Sequence, residues 1–233
     1  IAQGMVSESW LTPEDWYKTN VLAQVKIYRE LSNFKFIKKF IHVTTPEVYG
    51  NIKSKTKENF NFNPSTPYAI SRATLDMHLN KYYEEFRLPI VFTRTANVYG
   101  PHQRQESLIP DILTSLKKGQ LPDIRTPINA NDFVYVDDVA NAFSKAVSTN
   151  FPSGIYNLGS GKSTSVLEVC RIAEQIVLGT ESLTAQLESK TQNSRCEVNF
   201  WADIKHSKEI MDWQPTTSLK EGIQQTQQWI DSQ

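Results

Sequence analysis

Apolar positions in the first hundred residues follow a roughly helical period after Thr12 and form short continuous runs in two other stretches. The first helix is predicted to begin at Thr12, and the second is predicted to run from Ser65, as its N-cap, to about Phe86. The apolar runs at 40–43 and 88–93 predict buried strands. Helix and strand therefore alternate, which is typical of crossover units in a parallel sheet.

The pattern is more mixed after residue 100. Its predicted elements are, in chain order, a helix over 109–118, a strand over 132–136, a helix through 147, a strand ending at 159, and helices over 166–177 and 219–230. The whole pattern predicts an α/β protein with a Rossmann-like parallel sheet and a smaller mixed C-terminal lobe.

The composition limits the classes of binding partner and the cellular compartment that we expect for this protein. Lys and Arg number 25 and so do Asp and Glu, so the formal net charge is zero, which argues against a nucleic-acid binder. The sequence has no apolar run near the ~20 residues that cross a bilayer, so a membrane is not expected as a partner. Cys170 and Cys196 have neither metal-ligand spacing nor the density of a disulfide framework. We therefore expect a cytoplasmic protein without a metal site.

One glycine-containing stretch imitates a phosphate-binding loop. The segment 159–164 reads GSGKST, but a P-loop also needs a glycine at the position that Tyr156 occupies. We interpret the segment as a glycine turn that leads into a helix capped by Ser163 or Ser165.

Polar side chains follow both predicted strands of the first half and open the helix between them. Tyr68 and Arg72 are four residues apart, so they share one helix face. Thr45 and Glu47 follow the first strand, and Asn97 follows the second. The ends of neighbouring parallel strands lie only ~5 Å apart. A hydroxyl, a carboxylate, a phenol and a cation are therefore expected to meet in one crevice at this edge of the sheet.

Several segments resemble, in chain order, the motifs of one enzyme family. They are TTPEVYG, PYAISRA, RTANVYGP, NDFVYVDDVA, YNLGSGKSTSV and the final ADIKHSKEIMDWQPTTSLKEGIQQTQQWI. Together they are similar to the extended short-chain dehydrogenase/reductases, which are NAD-dependent nucleotide-sugar epimerases, dehydratases and decarboxylases. The resemblance covers nearly the whole chain. It implies NAD as cofactor, a nucleotide-diphosphate sugar as substrate and a homodimer, in which the C-terminal helices are candidates for the contact.

The resemblance also implies a role for each site residue. Thr45 matches the hydroxyl that bonds the reacting sugar oxygen, and Tyr68 matches the base. Arg72 stands where the family has a lysine, which lowers the pKa of the phenol and bonds the nicotinamide ribose. The residues expected to bind the cofactor are Thr44, Tyr68, Arg72 and Ala96. Those expected to bind the substrate are Thr45, Asn97, Lys117, Pro122, Arg125 and Arg195, the two arginines being candidates for the diphosphate.

Glu47 separates the subclasses of this family. A 4-keto group acidifies the C5 proton of the sugar, a carboxylate removes that proton, and the C6 hydroxyl leaves. The carboxylate therefore favours a 4,6-dehydratase over the two alternatives, which are a nucleotide-sugar epimerase and a uronic acid decarboxylase. Pro46 stands where one dehydratase branch has a proton-donating acid, so we do not expect a close copy of that branch.

Two departures from the family keep other interpretations open. None of the nine glycines forms the Gly-x-x-Gly-x-x-Gly turn that holds the NAD pyrophosphate, so we expect about two βαβ units of ~30 residues each to precede Ile1. Arg72 for lysine is not a conservative exchange, so the site is either a working variant or one that has lost its redox step. A non-catalytic relative, which binds a nucleotide sugar or a protein partner, is the alternative of another class.

The same resemblance divides the chain and assigns structural roles. Residues 1–100 are expected to form a partial NAD-binding Rossmann-like domain on which 132–150 packs, and 101–233 a substrate-binding lobe. Asn20 matches an asparagine that supports the active site. Asp137 and Asp138 are expected to provide a helix cap and an ion pair.

Overall fold

The computed structural model describes residues 2–148, 152–191 and 199–233. The helices are α1 Pro13–Tyr17, α2 Gln24–Leu31, α3 Pro67–Phe86, α4 Leu108–Leu116, α5 Val136–Ser148, α6 Val166–Leu178, α7 Ser182–Lys190, α8 Lys205–Met211 and α9 Leu219–Asp231. The strands are β1 Phe40–Thr44, β2 Lys55–Thr56, β3 Ile90–Thr95, β4 Asn97–Tyr99, β5 Ala130–Asn131, β6 Phe133–Tyr135, β7 Gly154–Leu158, β8 Thr164–Ser165 and β9 Trp201–Ala202. Short 3-10 helices cover Glu8–Trp10 and Pro46–Tyr49. Within the described residues, no helix is both long enough and apolar enough to cross a membrane.

A three-stranded parallel sheet lies at the centre, in the order β1–β3–β7. Phe40 is paired with Ile90, and Val91 with Gly154. The parallel sheet predicted from the alternation of elements is therefore confirmed. Strand β7 comes from the part of the chain assigned to the smaller lobe, so that part contributes directly to the central sheet. The division of the chain at residue 100 stays a prediction.

Both faces of the central sheet are covered by apolar layers. On one face, α2 and α3 pack their buried side chains against β1 and β3; this layer contains Tyr28, Leu75, Leu79, Ile90 and Phe92. On the other face, α5 and α8 cover Val91 and Tyr156, with Trp213 beside them. A separate core joins α4, α6 and α9. The sheet edge at the ends of β1 and β3 is thus held between two packed layers.

Helix α3 begins one residue later than the sequence predicts. The N-cap is Thr66, whose hydroxyl accepts a hydrogen bond of 3.1 Å from the backbone N–H of Ala69. Pro67 occupies the first helical position, where its missing N–H costs nothing. The hydroxyl of Ser65 bonds Asn51 Oδ1 at 3.0 Å instead, so the prediction of Ser65 as the cap was wrong. The start at Pro67 places Tyr68 in the first turn.

Asn20 lies in a π-helical segment, Lys18–Ala23, that joins α1 to α2. Its buried side-chain amide donates to Ser71 Oγ at 3.0 Å, and its Oδ1 accepts from the backbone N–H of Gln3 at 2.8 Å. Ser71 Oγ in turn donates to the carbonyl of Tyr68 at 2.7 Å. Asn20 therefore supports the first turn of α3, in line with its expected role. A π segment of this kind is rare and often lies at a functional site.

The glycine turn after β7 holds a carboxylate of the protein itself. Asp132 Oδ1 accepts from the N–H of Ser160 at 2.6 Å, and Oδ2 accepts from those of Gly161 and Ala202, both at 3.0 Å. Ser165 caps α6 by accepting from the N–H of Glu168 at 3.1 Å. The interpretation of this segment as a capped turn is confirmed for Ser165.

Asp138 joins α5 to the loop before α9. Its carboxylate accepts from the backbone N–H groups of Thr216 and Thr217 at 2.9 and 3.0 Å, and its carbonyl accepts from Trp213 Nε1 at 2.9 Å. Among the described residues neither Asp137 nor Asp138 forms the predicted ion pair, and Asp138 has these neutral donors as partners instead. The correction follows from burial, since a buried carboxylate is stabilised when backbone amides point at it.

Candidate active site

The main cleft lies where β1 and β3 end and has a volume of about 510 Å³. That size is typical of a pocket for a small ligand. Six residues expected to act in the site line it: Thr44, Thr45, Glu47, Tyr68, Ala96 and Asn97. The structure therefore brings together the residues that the sequence placed on three different elements.

Thr45 fixes the position of Glu47. The Thr45 side chain caps the 3-10 helix Pro46–Tyr49 and accepts a hydrogen bond of 3.2 Å from the backbone N–H of Glu47. Pro46 occupies the first position of this short helix and sets its entry angle. Burial raises the pKa of the Glu47 carboxyl to about 7. A carboxyl with that pKa can both accept and donate a proton near neutral pH.

Tyr68 faces Thr45 and Glu47 from the first turn of α3. Burial raises the pKa of its phenol above the ordinary value, while the charge of Arg72 and a side-chain hydrogen bond with Thr45 lower it. The sequence predicted that the cation would lower this pKa. Arg72 acts in that direction, as predicted, while burial outweighs it and raises the pKa of Tyr68 overall.

Arg72 lies behind Tyr68 and is 95% buried, being only 5% exposed. Its Nη2 donates to the carbonyl of Val43 on β1. Its Nε has no hydrogen-bond partner among the described residues. Arg72 is not among the residues that line the main cleft. The guanidinium therefore acts on Tyr68 as a nearby charge, and its predicted contact with a cofactor stays a prediction.

Two buried hydroxyls at the ends of neighbouring strands have no partner within the described part of the chain. They are Thr44 Oγ1 at the end of β1 and Thr95 Oγ1 at the end of β3, and both residues line the main cleft. A buried polar group without a partner costs about 1–3 kcal/mol, so a polar ligand that bonds these hydroxyls is favoured. The carboxamide and ribose of a nicotinamide nucleotide offer such groups, so the cleft fits the cofactor end expected at Thr44 and Ala96.

A buried charge network joins the elements that carry the site. Asp76 on α3 accepts from Arg94 Nη2 and lies against His42 Nε2, both at 3.2 Å. His42 Nδ1 is 3.0 Å from the phenol oxygen of Tyr28. Burial lowers the pKa of His42, although Asp76 acts in the opposite direction. One carboxylate thus connects β1, α3 and β3 beneath Thr45, Tyr68 and Asn97.

Arg94 extends this network to the helix that carries Glu47. Its guanidinium carbon lies 4.5 Å from the ring centre of Tyr49, the last residue of the 3-10 helix. Phe60 and Phe62 flank the same group at 5.5 and 5.3 Å. The phenol of Tyr49 donates to Asn157 Oδ1 at 3.0 Å. Cation–π contacts of a desolvated arginine are strong, so this arrangement holds the Glu47 helix firmly.

A smaller side chamber adjoins the main cleft and shares Glu47, Asn97 and Asn131 with it. Its volume is about 190 Å³. The remaining lining residues are Pro46, Gly50, Asn51, Ser65, Thr66 and Phe200. Glu47 therefore stands at the opening between two connected spaces.

The predicted substrate residues outside the cleft separate into three groups. Pro122 and Arg125 line a second cleft of about 450 Å³, with α7 on its other side. Lys117 is ion-paired with Asp231 of α9 and lines neither cleft. Arg195 lies outside the described residues. The nucleotide-binding roles of these residues stay predictions.

Sequence reasoning did not single out Gln103 or Ser107 as site residues, although both line the main cleft. Asn131, which stands where the resemblance leads one to expect an arginine for the diphosphate, lines it as well. Gln103 Nε2 donates to the carbonyl of Val98 at 3.0 Å, while its Oε1 is buried without a partner among the described residues. A signal was present, because the polar stretch after Gly100 follows directly on a strand end, where ligands are expected.

Known proteins resemble the chain over most of its length. The sequence model of the GDP-mannose 4,6 dehydratase family matches residues 1–226. The dTDP-D-glucose 4,6-dehydratase of Bos taurus is 31% identical over 209 residues, which are 83% of this chain and 56% of that protein. The dTDP-glucose 4,6-dehydratase of Escherichia coli is 25% identical over 256 residues, 98% of this chain and 71% of that protein. The chain thus spans about half the length of the bovine relative.

Solved structures resemble the fold closely. The UDP-glucose 4-epimerase of Thermotoga maritima, solved with UDP-glucose, has a TM-score of 0.85 at 25% identity and covers 100% of this chain and 75% of its own. The dTDP-glucose 4,6-dehydratase of Streptomyces venezuelae, solved with NAD and TYD bound, has a TM-score of 0.83 at 26% identity, with 100% and 71% covered. The predicted Rossmann-like α/β fold is confirmed.

Proposed function

Because the chain belongs to the GDP-mannose 4,6-dehydratase family, as its motifs predict, we propose that it modifies a nucleotide-diphosphate sugar through a 4-keto intermediate, by 4,6-dehydration. The observation that carries this proposal is Glu47. It shares one cleft with Thr45 and Tyr68, and burial raises its pKa to about 7. A simple 4-epimerase has no step for a second base at this position, whereas a dehydratase needs one to remove the C5 proton.

The side chains divide the proton transfers between them. Thr45 orients the C4 hydroxyl of the sugar, and Tyr68 takes its proton when C4 is oxidised. Glu47 then takes the C5 proton, which the 4-keto group has acidified, and passes it to the C6 hydroxyl, which leaves as water. Arg72 stabilises the phenolate of Tyr68 by its charge. These roles follow from proximity in one cleft, since positioned groups raise the rate of such steps.

NAD is the cofactor in this proposal; when bound it would accept the hydride from C4 and return it to C6 after the hydroxyl has left, so that the net change is the loss of one water. The hydroxyls of Thr44 and Thr95 would hold its nicotinamide end, since both are buried in the cleft without partners among the described residues. A cytoplasmic location belongs to the same proposal, supported by cysteines without the pattern of a disulfide framework.

The proposal is tested by product analysis. The purified chain is incubated with NAD and UDP-glucose, dTDP-glucose or UDP-glucuronic acid, each in a separate reaction, and the product is identified by mass spectrometry. Dehydration removes one water, decarboxylation of a uronic acid removes carbon dioxide, and epimerisation leaves the mass unchanged. Tyr68→Phe should abolish turnover while leaving nucleotide-sugar binding intact. Turnover without loss of water would refute the dehydratase assignment.

One observation favours a second candidate, a non-catalytic relative that binds a nucleotide sugar or a protein partner. The guanidinium of Arg72 is bonded to the carbonyl of Val43 and lies behind Tyr68, outside the cleft lining. Denaturing the purified protein and identifying released small molecules separates the candidates. Bound NAD supports the enzyme. Nucleotide-sugar binding without any binding of NAD on titration supports the relative.

A homodimer is also part of the proposal, and exposed apolar side chains support a different surface for it than the C-terminal helices. Leu22, Ile27, Ile70 and Met77 are 58%, 44%, 40% and 48% exposed on the neighbouring helical segments of 18–31 and α3. Exposed apolar residues on adjoining helices commonly mark an interface. Met77→Asp should convert a dimer to a monomer in analytical ultracentrifugation, whereas a charge at Ile210 on α8 should not.

A further inference from the structure

The first turn of α3 carries a donor group that the helix does not satisfy by itself. The first N–H groups of any helix have no partner inside it. Pro67 has no N–H, and the N–H of Ala69 is bonded to the Thr66 hydroxyl at 3.1 Å. The N–H of Ile70 reaches the carbonyl of Thr66 at 2.8 Å. The N–H of Tyr68 is left, and its partner comes from a distant part of the sequence.

Ser9 provides that partner. It lies in the 3-10 helix Glu8–Trp10 and is fully buried. Its hydroxyl oxygen accepts a hydrogen bond of 3.2 Å from the backbone N–H of Tyr68 and donates one of 2.6 Å to the carbonyl of Val6. The second bond directs the hydroxyl proton to Val6, so an oxygen lone pair is left for Tyr68. Ser9 thus acts as a second cap of α3, supplied from outside the helix.

The carbonyl of Tyr68 is held by the same N-terminal part of the chain. Ser71 Oγ donates to this carbonyl at 2.7 Å, and the side-chain amide of Asn20 donates to Ser71 Oγ at 3.0 Å. Asn20 is in turn bonded to the backbone of Gln3. The N–H and the carbonyl of Tyr68 are therefore both connected to residues that precede α2, and the atom that carries the phenol lies between these two points.

We propose that Ser9 is a positioning residue for the proton transfer at Tyr68, an inference that rests on the proposed function. Ser9 is not among the residues that line the main cleft, so it acts only through the backbone that it holds. The phenol oxygen is at the far end of its side chain, so a small tilt of the first turn moves it further than it moves the backbone. A displacement of about 1 Å can cost about 100-fold in rate.

Turnover of Ser9→Ala, which removes the acceptor without adding bulk, tests the proposal. We expect kcat to fall about tenfold and KM to stay within about twofold. The pH profile of kcat should move to higher pH by about 0.5 unit, because Arg72 and the bond with Thr45 lower the pKa of the Tyr68 phenol and act less on a displaced ring. A smaller folded fraction would lower kcat without moving this profile.

Ser165→Ala is the matched control. Ser165 caps α6 by accepting from the N–H of Glu168 at 3.1 Å, so its exchange for alanine removes a helix cap of the same kind. It does not line the main cleft. Both variants should lose stability, but Ser165→Ala should leave the pH profile of kcat where it is in the unmodified chain.

Amide hydrogen exchange followed by NMR gives a readout that needs neither cofactor nor substrate. In Ser9→Ala the N–H of Tyr68 should exchange about tenfold faster or more, because its acceptor is gone. The N–H of Ala69 should keep its rate, since Thr66 still accepts from it. In Ser165→Ala both amides should exchange as in the unmodified chain.

The outcomes separate this inference from the proposed function. An unshifted pH profile in Ser9→Ala, or an unchanged exchange rate at Tyr68, overturns the positioning role while the proposed function stands. Absence of turnover by the unmodified chain with every nucleotide sugar tested overturns the proposed function and the positioning role together. A lower kcat with a shifted profile and faster exchange at Tyr68, all absent from Ser165→Ala, supports the positioning role.

Discussion

Asp76→Asn replaces one carboxylate oxygen by an amide nitrogen, and it should be among the most destabilising substitutions of that size in the protein. Asp76 is fully buried and lies 3.2 Å from both Arg94 Nη2 and His42 Nε2. Arg94 is also fully buried. Without the carboxylate, a guanidinium remains in the interior with no counter-charge bonded to it. Removing one partner of a buried ion pair costs about 3–5 kcal/mol. For a chain of this size, this corresponds to a fall in Tm of roughly 6–20 °C.

Differential scanning calorimetry of Asp76→Asn measures this loss directly. The matched control is Glu84→Gln on the same helix, since Glu84 pairs with Lys81 at 2.6 Å on the exposed surface and should give no measurable fall in Tm. The double variant Asp76→Asn/Arg94→Met removes both charges and should recover part of the loss. A fall of less than about 1 kcal/mol in Asp76→Asn, or a double variant no more stable than the single, would refute the reasoning.

Three further predictions follow from single contacts. Burial raises the pKa of Glu47 from 4.5 to about 7. Above neutral pH the buried carboxylate therefore lowers the free energy of unfolding by up to roughly 3 kcal/mol, at about 1.4 kcal/mol per pKa unit. Glu47→Gln should raise Tm at about pH 8 and hardly at about pH 5, which thermal scans at both pH values will test. A Cβ at position 222 would lie 2.2 Å from the phenol oxygen of Tyr99, so Gly222→Ala should lower stability by about 1–3 kcal/mol in urea titration, and an unchanged midpoint would contradict this packing. Lys162→Ala should leave nucleotide binding unchanged in calorimetry, because the glycine turn beside it holds Asp132; a large loss of affinity would restore the phosphate-loop interpretation.

Elements with a strong local pattern were predictable from the sequence. Helix α3 was predicted to end at Phe86 and does so, because twenty residues of helical sequence carry the signal, and only its cap moved by one residue. The membership of β7 in the central sheet was not predicted, because strand order depends on pairing between residues distant in sequence. Local sequence identifies a strand but does not specify its neighbours.

The residues of the candidate site were likewise predictable from the sequence only in part. Thr45, Glu47, Tyr68 and Asn97 were found because each lies at a strand end or helix start that the sequence marks. The role of Arg94 was not found, because its partners come from α3, the 3-10 helix and the loop at 59–62, which meet only in the folded chain. The net rise in the pKa of Tyr68 was also missed, since burial is a property of packing and not of the four-residue spacing to Arg72.

The turn after β7 is an anion-binding site that is already occupied by a carboxylate of the protein itself. Amides at Ser160, Gly161 and Ala202 surround the Asp132 carboxylate much as such loops surround a phosphate oxygen. Free phosphate would therefore have to displace the Asp132 carboxylate in order to bind at the turn. For protein engineering, the consequence is that Asp132→Gly would create an anion receptor within the fold without adding any binding residue.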